Sequence, residues 1–335
     1  MQTYAQSINK ALEDKLIKDK RVVLLGEDIQ DPYGGAFKVT KGLSSKHSKR
    51  VINTPMSEYA LTGIVAGLAL RGMRPVLEIM FGDFMTICAD QIINHATKFS
   101  WMYNGQVSAP MVIRTPMGGR RGYGPTHSQT LEKIFFGVPG LKIIAPSHFH
   151  DPGKLLARAI DDNGPILFIE NKLLYARKLV EFKDGHMLDF AAKKSSAEYE
   201  TITLSNSDFE SAKATILTYG GMLPFVIDAV KDTMDASGIP TEIIVPSYIN
   251  DIPMTTIIES LKKTGRLVIA EEGTMNYGWG SEVSAKIAEQ ALDMLEAPIK
   301  RVAAKDLPIG CTKVIEDAIL PQVSDIKKAI IGVLR

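Results

Sequence analysis

Only two cysteines, Cys88 and Cys311, occur in 335 residues. They lie far apart and show no CxxC spacing, so neither a disulfide framework nor a zinc ribbon is available, and a reducing compartment suits the chain. Charge of one sign is also lacking. Lys and Arg number 39 against 38 Asp and Glu, a formal net charge of +1. A basic surface for nucleic acid is therefore not indicated. Long apolar runs are missing too. The longest weakly polar stretch, Tyr59–Leu70, falls short of the roughly 20 residues that a bilayer requires. The first residues, MQTYAQSINKALEDKL, carry apolar positions at helical spacing and no signal-peptide core, which predicts an amphipathic surface helix and a soluble, cytoplasmic protein. No GxxxxGK[ST] loop, no complete GxGxxG after a strand, no GxSxG elbow and no His/Cys cluster with zinc spacing is found.

What is present is alternation. Short β-branched runs at Val22–Leu25, Val51–Asn53, Pro75–Ile79, Met111–Arg114, Leu141–Ile144 and Ile166–Ile169 are separated by helix-like stretches at Ser57–Leu70, Asp83–Tyr103 and Asp151–Asp162. Near-continuous apolar strands between helices predict a parallel sheet covered on both faces. Residues 1–176 form this first domain. Residues 177–213 are polar and read as a linker that could hold one short strand pair. Alternation resumes over 214–335, with strands at Ala214–Tyr219, Thr241–Val245, Arg266–Ala270 and Ile299–Val302. The expected fold is α/β in two domains, each a mainly parallel sheet flanked by helices.

Ligands of an open parallel sheet bind beyond the carboxyl ends of its strands. The segments leaving those ends are Gly26-Glu27-Asp28, Thr54-Pro55-Met56-Ser57-Glu58, Met80-Phe81-Gly82-Asp83-Phe84, and a glycine-rich loop from Thr115 to Ser128 that holds Arg120, Arg121 and His127. Carboxylates, aromatics, an arginine pair and a histidine on one rim suit catalysis on a bound organic cofactor. Taken singly, each has a plainer reading. Glu58 at a helix start favours the helix dipole, Glu27 and Asp28 are solvated loop acids, Phe81 and Phe84 are core, and Gly63 and Gly67 allow close backbone packing.

Order and spacing together resemble the β subunit of the thiamine-diphosphate-dependent 2-oxo acid dehydrogenases, the E1 component of the pyruvate, branched-chain and acetoin complexes. The stretches that carry the resemblance are LLGEDI, RVINTPMSEYALTGIVAGLALRGMRPVLEIMFGDFM, DQIINHATKFSWMYNG, PTHSQTLEKIFFGVPGLKIIAPS and NGPILFIENKLLY, with TGRLVIAEEG and EAPIKRVAAKDLP in the second domain. The resemblance implies a thiamine-diphosphate pyrimidine-binding domain followed by a transketolase C-terminal-like domain. Thiamine diphosphate adds to a 2-oxo acid as a ylid and takes up electrons as CO2 leaves. A carboxyl group hydrogen-bonded to the far nitrogen of its aminopyrimidine exchanges the proton that makes this possible. The family's glutamate falls on Glu58. Phe84 matches the aromatic beside the pyrimidine, Met56 and Met80 match pocket-lining positions, and Glu27 matches a neighbouring acid. His127 matches the histidine near substrate or the incoming lipoyl group. Gly63 and Gly67 match a subunit contact, and Asp162 a loop that helps hold a structural potassium ion.

The family's metal motif for the diphosphate, Gly-Asp-Gly, sits in the α-type domain and does not occur here. The resemblance thus implies half an active site, magnesium held mainly by a separate α subunit, and an α2β2 assembly. The implied function is decarboxylation of a small-molecule 2-oxo acid, such as pyruvate or a branched-chain 2-oxo acid, with transfer of the acyl group to a lipoyl-bearing E2 acyltransferase. Two alternatives stay open on the sequence: the β-type half of a transketolase-like enzyme forming carbon–carbon bonds with a non-lipoyl acceptor, and a non-catalytic scaffold subunit.

Overall fold

The computed structural model describes residues 2–335 and divides into two compact units. The first comprises residues up to 117, 134–144 and 151–179; the second comprises 118–133, 145–150 and 180–335.

The first unit is built on six strands: β1 (Val22–Gly26), β2 (Val51–Asn53), β3 (Arg74–Glu78), β4 (Val112–Met117), β5 (Lys142–Ile144) and β6 (Ile166–Asn171). Their order is β2-β1-β3-β4-β6-β5, and every pairing is parallel. All residues of β1, β4 and β6 are buried, as strands covered by helices on both faces must be. Because every strand points the same way, the loops after β2, β1 and β3 emerge side by side on one rim, with the β1 loop in the middle. The helix Tyr4–Lys18 opens on a capping box, with Thr3 Oγ1 accepting from Gln6 N and Gln6 Oε1 accepting from Thr3 N. The stretch Asp83–Tyr103, expected as one helix, is instead broken into a 3-10 turn at Gly82–Phe84, an α-helix at Met85–Asp90, a π turn at Gln91–Ala96 and a short helix at Phe99–Met102.

The second unit carries β7 (His186–Met187), β8 (Phe190–Lys194), β9 (Thr201–Ser205), β10 (Ala214–Thr218), β11 (Thr241–Pro246), β12 (Leu267–Thr274) and β13 (Lys300–Ala304), in the order β13-β12-β10-β11-β9-β8-β7. β10 to β13 pair in parallel; β9, β8 and β7 extend the sheet antiparallel. The core runs from Phe190, Ile202 and Leu204 through Ile216, Ile243 and Val268 to Ile326 and Ile330. Here the linker reading of 177–213 is corrected: the segment holds three strands. All five residues of β9 are buried, but two of its five are threonine and its flanks are rich in Lys, Ser and Asp, which hid the strand.

Candidate active site

Glu58 is the first residue of the helix Glu58–Leu70, where the free N–H groups and the dipole favour a carboxylate. Its backbone is held from two sides: Glu58 O accepts from Thr62 Oγ1 at 2.7 Å and from Cys88 Sγ at 3.7 Å. The same thiol lies 3.7 Å from Phe84 O, so Cys88 ties the start of this helix to the end of the 82–84 turn. The sequence reading passed over Thr62 and Cys88 as site residues. Their signal was spacing, since each stands four residues, one helical turn, after the residue it supports. Burial pushes the Cys88 thiol up to about 11, with Glu58 and Glu27 adding to the effect, so it is a neutral strut and not a nucleophile.

Glu27, on the β1 loop, reaches the same place. The pKa of its carboxyl is raised, first by burial and then by the charge of Glu58, with the nearby Ser57 backbone opposing. Glu27 Oε1 is buried without a hydrogen-bond partner. Burial and the Glu58 charge thus both favour the protonated form of Glu27. Phe84 closes the group on the β3 side, its ring 6.2 Å from that of Phe81 in an edge-on arrangement. Gly82 admits the close approach that this turn requires: a Cβ there would lie 2.3 Å from Met117 Cγ. Met80 is half-buried on the same loop, whereas Met56 is 81 % exposed at the head of the β2 loop. Thus Glu27, Glu58, Met80 and Phe84 share a rim, while Met56 projects away from this chain.

His127 belongs to the second unit. It sits in a turn where its N–H donates to Gly124 O at 3.3 Å and its Nδ1 lies 2.9 Å from Thr126 Oγ1. Asp162 lies at the opposite edge of the first sheet, before β6. Its carboxylate is taken by Lys142 Nζ at 2.5 Å and Gly164 N at 3.2 Å; these bonds hold its pKa low against the upward push of burial. Arg74 Nη1 donates to Ile160 O and Asp162 O, both at 2.7 Å. Two cationic side chains therefore already serve the oxygens of this loop. The potassium role that the resemblance implies for Asp162 would have to share these oxygens with Lys142 and Arg74.

The fold and its rim define a transketolase-like protein with a pyrimidine-binding half. Residues 1–178 match the pyrimidine-binding domain of transketolase, and residues 206–326 its C-terminal domain. A solved structure described as a split-gene transketolase, inactive β4 tetramer, superposes with a TM-score of 0.74 at 19 % identity, covering 99 % of this chain and 98 % of that one; this is a likeness of fold. Among curated relatives, the acetoin:2,6-dichlorophenolindophenol oxidoreductase subunit β of Cupriavidus necator is 35 % identical, covering 96 % of this chain and 94 % of its own. The pyruvate dehydrogenase E1 component subunit β of Rickettsia bellii is 34 % identical, with 98 % and 97 % covered, and that of Saccharomyces cerevisiae mitochondria 33 %, with 99 % and 88 %. The chain belongs to the family of E1 β subunits of the 2-oxo acid dehydrogenases.

Proposed function

We propose that this chain is the β half of an α2β2 E1 enzyme that decarboxylates a 2-oxo acid and passes the acyl group to a lipoyl-bearing E2. The observation that carries the reading is the meeting of Glu27, Glu58 and Phe84 on one rim, with a buried Glu27 oxygen left unpartnered. These residues fit the pyrimidine end of thiamine diphosphate, which when bound supplies the nucleophile and electron sink that decarboxylation needs.

The chain's own part is proton management and orientation. Glu58 holds and returns a proton at its carboxyl oxygen, aimed by a helix start that Thr62 and Cys88 fix. Glu27 keeps a proton close by, and Phe84 offers an apolar face that excludes water and orients a planar ring. Magnesium and the diphosphate fall to the α subunit, in keeping with the missing Gly-Asp-Gly. His127 is the proposed contact for substrate or the lipoyl group, since an imidazole donates or accepts near neutral pH. The two cysteines are both free thiols, which suits a reducing compartment, and we place the protein in the cytoplasm. No helix among the described residues is long and apolar enough to cross a membrane.

The test is Glu58→Gln in the assembled α/β enzyme. An amide cannot exchange the proton, so 2-oxo acid decarboxylation falls by at least about 100-fold, the range of a general acid–base group. Near-normal turnover rejects the assignment.

A further inference from the structure

The segment that carries His127 is anchored by carboxylates for which the proposed chemistry has no use. After β4 the chain runs Gly118-Gly119-Arg120-Arg121-Gly122-Tyr123-Gly124, and Gly118, Arg120, Gly122 and Gly124 have φ of 99°, 67°, 70° and 77°. Repeated left-handed residues turn neighbouring N–H groups to one side and form a concavity suited to an anion. Here the anions are internal. Gly119 N donates to Glu272 Oε1 at 2.7 Å; Arg120 N donates to Glu316 Oε1 at 2.9 Å, and Gly122 N to Glu316 Oε2 at 3.2 Å. Both acids are buried, Glu272 at 4 % and Glu316 at 3 % exposure.

The arginine pair divides its labour. The Arg120 guanidinium lies 4.1 Å over the Phe225 ring and donates from Nη2 to Pro321 O. It is an anchor. Arg121 is exposed on the same loop. The loop lies close against its surroundings: a Cβ on Gly119 would meet Leu320 Cδ1 at 2.7 Å and one on Gly122 would meet Cys311 O at 3.1 Å. The route from the clamp to the histidine is short: Gly122 is bonded to Glu316, and two residues later Gly124 O receives the His127 N–H.

We propose that Glu316 is a positioning residue, whose grip on the Arg120 and Gly122 amides sets where His127 stands during acyl transfer. The inference rests on the proposed role of His127. Gly122 N is shared between Glu316 Oε1 at 3.3 Å and Oε2 at 3.2 Å; an amide side chain keeps one of these acceptors but carries less charge and sets an NH2 donor against the Gly122 amide.

The experiment uses the assembled α/β enzyme with Glu316→Gln, His127→Ala and the double variant. Three readouts are taken: amide hydrogen exchange over residues 118–124, reductive acylation of a free lipoyl domain, and decarboxylation with an artificial oxidant. Glu316→Gln is expected to speed exchange in that segment at least about tenfold, the equivalent of one charge-assisted hydrogen bond. It is also expected to slow acylation about tenfold, hold oxidant-coupled turnover within about twofold, and add nothing in the His127→Ala background. Unchanged exchange, or losses that multiply in the double variant, overturns the positioning role while the His127 reading stands. His127→Ala without effect on acylation sinks both. Should Glu316→Gln fail to assemble, Glu316→Asp, which keeps the charge and shortens the reach, replaces it under the same criteria.

Discussion

Arg114 grips Glu170 at two points on the neighbouring strands β4 and β6, Nε to Oε1 at 2.7 Å and Nη2 to Oε2 at 2.8 Å, with the arginine side chain 2 % and the glutamate 0 % exposed. The remaining arm of the fork, Nη1, reaches Glu78 on β3 at 2.9 Å, and Tyr175 donates to Glu170 Oε2 at 2.8 Å. One cation thus serves a buried and a half-buried carboxylate across three strands. Burial pushes Glu78 up, with Arg114 opposing and Glu170 adding to the shift. Removing the cation leaves both acids uncompensated. Arg114→Met is expected to destabilise by about 3–5 kcal/mol, read from urea unfolding midpoints, and Glu170→Leu added to it recovers part of the loss. A loss below about 1 kcal/mol would contradict the network.

Glu132 provides a pH signature in the second unit. Burial raises its pKa from 4.5 to about 7, against the opposing hydrogen bond from Tyr219. The folded chain therefore keeps a proton that the unfolded chain has already released between those values, and the contribution of this residue to stability falls as pH rises through that window. Buried His150 behaves oppositely: burial lowers it from 6.5 to about 3, so its contribution falls as pH drops through that range. Glu132→Gln removes the first effect alone. Relative to the parent, the variant gains up to about 1.4 kcal/mol per pH unit on going from pH 4.5 to 7. Thermal or denaturant unfolding across this range checks it, and parallel curves for the two proteins would refute it.

Gly67 separates folding from assembly. A Cβ at this exposed position of the helix Glu58–Leu70 meets nothing within 4 Å, whereas one at Gly63 meets Gln91 Oε1 at 2.9 Å. Gly67→Leu is expected to leave the isolated chain folded, or stabilise it by roughly 0.8 kcal/mol through helix propensity. If the glycines are the family's subunit contact, the same change weakens association with the α subunit, read by sedimentation of the mixed subunits. Unimpaired assembly removes Gly67 from the interface.

His127→Ala tests the second half of the chemistry. Reductive acylation of a lipoyl domain is expected to fall at least about 100-fold, while decarboxylation coupled to an artificial oxidant falls much less. Equal losses in the two assays would move His127 from acceptor handling to an earlier step.

Much of this was readable beforehand because it is local. The apolar runs of β1, β4 and β6, and the NTPMSE turn that places Glu58 at a helix start, are patterns within a few residues. What escaped depends on distance along the chain. Arg114 finds Glu170 56 residues away and Glu78 36 away, and Glu316 meets the Arg120 amide across 196. Nothing near Glu316 in the sequence marks it as an acceptor, and the two arginines, adjacent and alike on paper, are told apart only by Phe225 and Pro321. The stretch Asp83–Tyr103 misled for another reason. Its helical period is sound, but a 3-10 turn at Gly82–Phe84 and a π turn at Gln91–Ala96 interrupt it, which no periodicity reports.

The three antiparallel strands β7 to β9 have a practical consequence for anyone trimming the chain. β11 is buried along its whole length and bonds on one side to β9. A fragment that begins after residue 206 would lay bare a flat row of unpaired amides and carbonyls flanked by Ile243, Ile244 and Val245, a ready template for stacking against other copies. Such a fragment should come out of solution as sheet-rich aggregate, whereas one that begins at residue 180 keeps β9 paired on β11.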